Sequence, residues 1–372
     1  MSEKSGVQRV GVVMAGGSGE RFWPLSRKDR PKQLLHLTSE SETMLAEAVS
    51  RVAPLIPVEH VYIVTGEHLV KPIREAGIGV PPENILAEPC KRNTAGALAY
   101  AAAMLLAKYG EDAPLSMAIT TADHQIGNPG LFCRTVDAAL SAAEKEPVLA
   151  TMGIVPTRPE TGYGYIQVAD GTASSRSAEI AVWPVKAFHE KPNQERAEDF
   201  IETGHYFWNS GMFFWRASTF LDELTAASPA HAAAVRAMAA AQKKGDSGAV
   251  RAAFEELEDI SIDYALMERA KRVVMVRADY PWDDVGAWPA LDRSFPKDSK
   301  GNVCIGDPVV VDSEDCIVYN EAGADRIAVS VVGAEDLVVV VTQDAVLVIP
   351  KERAQDVRHA VQELKKRGAK QL

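Results

Sequence analysis

The feature that most constrains the fold of this chain is a short apolar run that ends in a cluster of glycines. Residues 10–14 (VGVVM) are typical of a buried strand. Gly16, Gly17 and Gly19 follow, and glycines at such a turn let backbone N–H groups approach a phosphate chain closely. Three cations come soon after the glycines: Arg21, Arg27 and Lys32. We therefore predict a strand-to-helix turn that binds a polyanion such as a nucleoside triphosphate.

The glycine pattern differs from two common nucleotide-binding motifs. A Walker loop has lysine directly after its second glycine, and Gly17 stands at that position here. A dinucleotide-binding fingerprint has a third glycine where this chain has Phe22. A glycine-rich turn without any ligand is the alternative, and the cations Arg21 and Lys32 favour a phosphate site over it.

Length and composition bound the class of protein. With 372 residues the chain is long enough for one large domain and a smaller one. Its hydrophobic share of 47% and charged share of 24% are those of an ordinary globular protein. The 40 Lys and Arg against 51 Asp and Glu give a net charge of −11, which argues against a nucleic-acid or anionic-membrane binder. Any phosphate site must then be a local basic pocket.

Cysteine spacing and hydropathy bear on the compartment. The four cysteines are too widely spaced for a zinc cluster or a disulfide framework. We see no apolar leader before the first strand and no run as long as a membrane span. A reduced, cytoplasmic protein without a membrane partner is the expectation.

The pattern of apolar runs divides the chain into two domains. Up to about residue 155, short apolar runs alternate with helical patterns, which favours a mostly parallel sheet covered by helices. Residues 301–350 instead contain short valine- and isoleucine-rich stretches, and a helical pattern follows at 355–367. We place the boundary between domains 1–296 and 297–372. The valine-rich strands suit either the core of the small domain or a homodimer contact. The main predicted strands are 10–14, 61–65, 115–120 and 148–154, and the main predicted helices are 43–52 and 94–108.

Seven blocks spread over nearly the whole chain carry a family resemblance. They are GGSGERFWPLSR (16–27) with PKQ (31–33), RNTA (92–95), TADH (121–124), GYGYI (162–166), FHEKP (188–192), WNSGMF (208–213) and WDDVG (282–286). In this order they resemble the sugar-nucleotide pyrophosphorylases, a family of nucleotidyltransferases. The WPLSR form is similar to that of the mannose-1-phosphate guanylyltransferase branch.

The resemblance implies a fold and a reaction. The fold is a Rossmann-like α/β domain with a mixed, mostly parallel sheet, followed by a small left-handed β-helix-like domain. The reaction is transfer of GMP from GTP to α-D-mannose 1-phosphate, which gives GDP-mannose and pyrophosphate. Such chemistry requires positioning, charge neutralisation and a divalent metal rather than a protein nucleophile.

The resemblance also implies roles for the first block. Arg21 and Lys32 would neutralise charge on the α-phosphoryl group and the departing pyrophosphate. Arg21 is the preferred transition-state stabiliser, because a guanidinium can hold phosphate oxygens in a bidentate way. The three glycines would contact the triphosphate, and Arg27 ranks below the other two cations.

Two aspartates are the candidate Mg²⁺ ligands. Asp123 follows a predicted strand, at the carboxyl end where open α/β sheets bind ligands. In the family pattern the aspartate before the hydrophobic-glycine pair binds the metal, which favours Asp284 over Asp283. Mg²⁺ usually takes one or two carboxylates from protein and the remaining ligands from phosphate and water. A helix N-cap is the alternative role for such an aspartate.

Further residues match positions that bind base and sugar in the family. Glu88, Asn93 and Thr94 would recognise the base, since a carboxylate can accept from the N1–H and exocyclic amine of guanine. Helix capping is the alternative for Asn93 and Thr94. The sugar hydroxyls and sugar phosphate are assigned to Gly164, Glu190, Asn209 and Lys191.

Three other functions compete with this interpretation. One is a pyrophosphorylase for another pair, such as glucose 1-phosphate with a different base. A second is a non-catalytic subunit that binds nucleotide sugars, which the presence of Arg21, Lys32 and both aspartates disfavours. The third, a bifunctional enzyme that also isomerises sugar phosphates, would require a further cupin-like domain beyond Leu372.

Overall fold

A ten-stranded mixed sheet organises the N-terminal part of the computed structural model, which describes residues 6–39, 41–169, 175–177 and 180–372. Its strands are β1 (Gln8–Met14), β2 (Val61–Gly66), β3 (Ile85–Glu88), β4 (Leu115–Thr121), β6 (Leu149–Ile154), β7 (Tyr165–Val168), β8 (Ser175–Ser177), β9 (Ile180–His189), β10 (Tyr206–Arg216) and β11 (Val273–Ala278). A separate pair is formed by β5 (Gln125–Ile126) and β12 (Trp282–Asp283).

The strand order is β3-β2-β1-β4-β10-β6-β11-β9-β7, with β8 beside β9. In the described part of the chain, β9 and β10 run against the direction shared by the other eight strands. The predicted mixed, mostly parallel sheet is therefore confirmed. All four predicted strands are present, whereas β3 at the edge was not predicted.

Helices cover both faces of this sheet. They are α1 (Met44–Val52), α2 (Val70–Glu75), α3 (Asn93–Tyr109), α4 (Pro129–Lys145), α5 (Gln194–Thr203), α6 (Ala217–Ala227), α7 (Pro229–Lys243) and α8 (Ser247–Glu255). The short helix α9 (Leu291–Ser294) instead packs in the hydrophobic cluster shared with the C-terminal part. The alanines of α3 are buried against one face, where small side chains let α7 pack closely on it, and α1 and α4 cover the other face. Both predicted helices exist, with Thr43 capping α1.

The first and fourth strands bring two sequence motifs to one edge. Strands β1 and β4 are parallel neighbours, and Met14 pairs with Thr121 at their carboxyl ends. The glycine-rich loop leaves β1 and the block containing Asp123 leaves β4, so both emerge at the same edge. Their proximity follows from the register of these two strands.

Short parallel strands form the C-terminal part. One sheet contains β13 (Val303–Ile305), β15 (Ile317–Asn320), β17 (Leu337–Val341) and β18 (Val346–Pro350), and a second contains β14 (Val309–Val311) and β16 (Ser330–Val332). The rungs β13-β15-β17 and β14-β16 are parallel, as in a β-helix, and β18 closes the first sheet in the antiparallel direction. Helix α10 (Val357–Lys366) lies within the helix predicted at 355–367.

One hydrophobic cluster joins the two parts. Phe22 and Trp23 from the glycine-rich loop belong to the same cluster as Val338 and Val357 from the C-terminal part. The boundary that we predict after residue 296 falls between α9 and β13. Residues 1–5, 40, 170–174 and 178–179 of the predicted larger domain lie outside the described residues.

Candidate active site

The glycine-rich loop is folded tightly against Lys32. Gly19 has a φ of +61°, and a Cβ added to it would lie 2.5 Å from Lys32 Cβ and 2.8 Å from Lys32 N. Any larger residue would push the two segments apart, so glycine is required here for close approach as well as for its backbone conformation. This packing fixes the spacing between the loop and the lysine.

Lys32 connects the two predicted metal ligands. Its side chain is buried, and Nζ donates to Asp123 Oδ2 at 2.9 Å and to the backbone oxygen of Asp284 at 2.6 Å. Burial alone would raise the pKa of Asp123, but the positive charge of Lys32 outweighs it and lowers that pKa. The structure therefore holds an ionised carboxylate next to a cation at the edge of the sheet.

The neighbouring aspartates Asp283 and Asp284 differ in their surroundings. Asp283 is buried, accepts from Val285 N at 2.8 Å and forms an ion pair with Arg293, so both of its oxygens have protein partners. Asp284 instead lines a cavity of about 300 Å³ and accepts from Tyr163 Oη through Oδ1 at 2.7 Å. Of the two neighbouring aspartates, Asp284 is therefore the one that lines the cavity.

We call this cavity of about 300 Å³ the phosphate cavity. It is lined by Ser18, Gly19, Glu20, Arg21, Phe22, Lys32, Asp123, His124, Asp284, Gly286 and Arg358. Arg21 reaches across it to donate to the backbone oxygen of Gly286 at 3.1 Å. Both predicted catalytic cations and both predicted metal ligands thus face one small space.

The donor set of this cavity fits Mg²⁺. No group of three or more His, Cys, Asp or Glu residues that could hold a metal is found within the described ranges. Asp123 and Asp284 nevertheless supply two carboxylates to one cavity. Mg²⁺ suits such a site, because it takes only one or two carboxylates and completes its shell with phosphate oxygens and water.

His124 is placed to support its neighbours. Trp282 Nε1 donates to His124 Nδ1 at 3.3 Å, and the two rings meet edge to face. Burial lowers the pKa of His124, which favours the neutral imidazole that such an acceptor role requires. The ring can therefore hold Trp282 beside Asp283 and Asp284.

A larger cavity of about 1040 Å³ adjoins the phosphate cavity. Its lining includes the predicted base-binding residues Glu88, Asn93 and Thr94 together with Gly16, Gly17 and Asp123. Burial raises the pKa of Glu88 to about 7. The volume is ample for a nucleoside, and the shared Asp123 and glycine loop join it to the phosphate cavity.

Asn93 and Thr94 also have structural contacts. Asn93, with a φ of +55°, accepts from Thr94 N at 2.9 Å through its own Oδ1. Thr94 Oγ1 accepts from the backbone N–H of Ile262 at 2.8 Å. The start of α3 is therefore tied to the segment that precedes Asp263.

The four predicted sugar-binding residues form a second cluster. A Cβ on Gly164 would lie 2.8 Å from Glu190 Oε2 and 3.6 Å from Asn209 Cβ, so glycine leaves room for both side chains. Lys191 Nζ lies 3.0 Å from Glu190 Oε1, and Asn209 N donates to Gly164 O at 2.8 Å. The structure thus brings together positions separated by up to 45 residues along the chain, from Gly164 to Asn209.

Two polar residues of the site were missed by sequence reasoning. Tyr163 links the sugar cluster to the phosphate cavity through its hydrogen bond to Asp284, and its ring contacts Trp208. Asp263 accepts from Asn209 Nδ2 at 2.8 Å. Burial, reinforced by the Glu190 carboxylate, raises the pKa of Asp263. Tyr163 lies inside the block 162–166, but Asp263 belongs to none of the seven blocks.

Known proteins share both the sequence and the fold. Residues 10–301 match the nucleotidyl transferase family, and residues 306–364 match the MannoseP isomerase/GMP-like β-helix domain. A mannose-1-phosphate guanylyltransferase of Klebsiella pneumoniae is 42% identical over 359 residues, which are 95% of this chain and 73% of that protein. The alginate biosynthesis protein AlgA of Pseudomonas aeruginosa is 40% identical over 369 residues, 96% of this chain and 73% of that protein.

A solved structure agrees over nearly the full length. The crystal structure described as a mannose-1-phosphate geranyltransferase from Thermus thermophilus has a TM-score of 0.83 and 36% identity. The match covers 96% of this chain and 100% of that one. The chain therefore belongs to the nucleotidyl transferase family and, within it, to the mannose-1-phosphate guanylyltransferases, the branch that its N-terminal WPLSR form resembles.

Proposed function

We propose that this chain transfers GMP from GTP to α-D-mannose 1-phosphate, giving GDP-mannose and pyrophosphate. The observation that carries the proposal is the phosphate cavity, where Arg21 and Lys32 meet the carboxylates of Asp123 and Asp284 beside a nucleoside-sized cavity. A phosphate oxygen of the sugar phosphate attacks the α-phosphorus. The bond from the α-phosphorus to the bridging oxygen breaks, and pyrophosphate leaves in line with the attack.

Arg21 and Lys32 are the proposed catalytic residues. Arg21 is held over the cavity by Gly286 O, and Lys32 by Asp123 and Asp284 O, so both charges are positioned before substrate arrives. Preorganised cations of this kind stabilise charge that develops on phosphoryl oxygens without reorganising during the reaction. The backbone of Gly16, Gly17 and Gly19 would hold the triphosphate.

Members of this family generally use a divalent metal, and we propose Mg²⁺ held by Asp123 and Asp284. When bound, the metal would neutralise charge on the phosphates and orient them. Tyr163 donates a hydrogen bond to Asp284 Oδ1 and thereby orients this carboxylate.

The base and sugar assignments complete the proposal. Glu88, Asn93 and Thr94 face the larger cavity, where the Glu88 carboxylate would accept from guanine. Gly164, Glu190 and Asn209 would hold the sugar hydroxyls, with Lys191 on the sugar phosphate. Asp263 acts as a positioning residue, because its hydrogen bond fixes the amide of Asn209.

The test is pyrophosphate release from GTP and mannose 1-phosphate with Mg²⁺, beside ATP, UTP and glucose 1-phosphate. Turnover confined to the GTP and mannose 1-phosphate pair is the expected result. Turnover with another pair would reassign the base or sugar, and binding of GDP-mannose without turnover would indicate a non-catalytic protein. Lys32→Ala should lose at least a hundredfold in kcat, since removing one preorganised group that stabilises charge in the transition state costs about 3 kcal/mol. Lys71→Ala is the matched control, because the side chain of Lys71 is 84% exposed on α2.

We also propose a domain organisation, an oligomeric state and a cellular location for this chain. We propose that the catalytic domain comprises residues 1–296 and the β-helix-like domain residues 297–372, and that the chain forms a homodimer. No helix in the described ranges is long and apolar enough to cross a membrane. All four cysteines are free thiols, which suits the reducing cytoplasm that we propose as its location.

A further inference from the structure

Helix α10, near the end of the chain, forms part of the wall of both cavities. Arg358 lines the phosphate cavity, while Val361 and Lys365 line the larger one. Leu372 also lines the larger cavity. These residues lie outside the seven blocks and belong to the C-terminal part of the chain.

Contacts with the glycine-rich loop fix the helix in this position. Val357 and Val361 are 0% and 3% exposed and belong to the same hydrophobic cluster as Phe22 and Trp23. Lys365 Nζ pairs with Glu20 Oε1 at 2.5 Å, and Trp23 Nε1 donates to the backbone oxygen of Gln371 at 2.8 Å. The loop and the helix therefore form one unit around the phosphate cavity.

Arg358 differs from the other cations on this helix in its partners. Lys365 pairs with Glu20, and Lys366 and Arg367 pair with Glu363. Arg358 Nε donates weakly to Gln355 O at 3.4 Å, and within the described residues no carboxylate lies within 4.0 Å of its guanidinium. Its charge is therefore available to an anion in the cavity.

We infer that Arg358 binds the β- and γ-phosphates of the nucleoside triphosphate and holds the pyrophosphate as it leaves. This inference rests on the proposed function. An in-line displacement places the leaving group opposite the attacking sugar phosphate. Arg358 shares its cavity with Ser18, Glu20 and Arg21 of the loop, and the sugar cluster residues Gly164, Glu190 and Asn209 do not line that cavity. The helix of the C-terminal part thus supplies a cation on the pyrophosphate side.

The reaction run in reverse isolates this role, because pyrophosphate is then a substrate. Arg358→Ala should raise the KM for pyrophosphate about ten- to a hundredfold, as expected for loss of a charge-assisted hydrogen bond. The KM for GDP-mannose should change less than twofold. Arg358→Lys keeps the charge and should recover part of the loss. Arg367→Ala is the control, since it removes the same charge from the same end of the chain and Arg367 is not among the residues that line either cavity.

Calorimetric titration of inorganic pyrophosphate with Mg²⁺ gives a readout that does not need turnover. Arg358→Ala should weaken its binding at least tenfold, and Arg367→Ala should leave it unchanged. An unchanged pyrophosphate affinity in Arg358→Ala overturns the inference, whatever the wild-type activity proves to be. An equal loss of affinity for pyrophosphate and for GDP-mannose in Arg358→Ala also overturns the inference, since that would indicate that α10 only supports the glycine-rich loop. If wild-type protein turns over no substrate pair, the proposed function fails, and the titration still decides the role of Arg358.

Discussion

Glu88 provides the sharpest test, because one substitution should change stability and nucleotide use with opposite signs. Its carboxyl lies partly buried beside the larger cavity, and burial raises its pKa from 4.5 to about 7. Glu88→Gln keeps the shape of the side chain and removes its ionisation. The substitution should stabilise the free protein at high pH and weaken the use of GTP there.

The size of the stability effect follows from the pKa. At about 1.4 kcal/mol per tenfold change in ionisation, a rise from 4.5 to about 7 costs the folded state up to about 3 kcal/mol once the carboxyl is ionised. The folded state binds the proton of Glu88 more tightly than the unfolded state does. The contribution of protonated Glu88 to the free energy of unfolding is therefore fully present below pH 4.5. It is lost as the pH rises through about 7.

Urea unfolding at pH 5 and pH 8 measures this difference. The free energy of unfolding of Glu88→Gln should lie within about 1 kcal/mol of the wild-type value at pH 5 and exceed it by about 2–3 kcal/mol at pH 8. Glu83→Gln, an exposed glutamate just before β3, is the control and should behave alike at both pH values. An equal gain at both pH values would refute a role for the buried charge.

The activity of the same variant tests base recognition. The ionised carboxylate should accept from guanine. We therefore expect the kcat/KM for GTP of the wild type, divided by that of Glu88→Gln, to fall about tenfold when the pH is lowered from 8 to 6. That change matches the ionised fraction of a group whose pKa is about 7, and the ratio cancels titration of the substrates themselves. A ratio that stays flat with pH would show that Glu88 does not contact the base as a carboxylate.

Three further results are expected. Gly19→Ala should lower kcat/KM at least tenfold, because the added Cβ would lie 2.5 Å from Lys32 Cβ. Gly77 has a similar φ of +64°, but an added Cβ would have no atom within 4 Å, so Gly77→Ala should remain active. Asp263→Ala should raise the KM for mannose 1-phosphate about tenfold and leave the KM for GTP unchanged, and Asp263→Asn should recover because its amide oxygen can still accept from Asn209. EDTA should abolish turnover without changing the Tm of the free protein, because the proposed metal is shared between the protein and the substrate phosphates. A lowered Tm would instead indicate a resident structural metal.

Sequence reasoning succeeded where structure depends on local pattern. The apolar run of β1 and the glycines after it predicted a turn, and the register of β1 and β4 then placed Asp123 beside it. The choice of Asp284 over its neighbour came from the family pattern alone. In the structure, both oxygens of Asp283 have protein partners, Val285 N and Arg293, whereas Asp284 lines the cavity.

Residues that act through a partner were harder to predict. Asp263 lies in a π-helical turn at Asp263–Met267, and only the folded chain places it beside Asn209, 54 positions earlier. Nothing in its local sequence distinguishes it from a surface aspartate. The raised pKa and the hydrogen bond that identify it both arise from tertiary packing.

The longest-range contacts explain why the C-terminal part escaped a functional prediction. The family resemblance implied a β-helix-like domain here, which the parallel rungs confirm, yet its valine-rich strands carried no sign of chemistry. The contact from Lys365 to Glu20 spans 345 residues, and that from Gln371 to Trp23 spans 348. Because Phe22 and Trp23 share a hydrophobic cluster with Val357, the end of the chain helps to bury the end of the glycine-rich loop. The same packing that stabilises the loop therefore brings Arg358 to the wall of the phosphate cavity, so stability and catalysis should be coupled through α10.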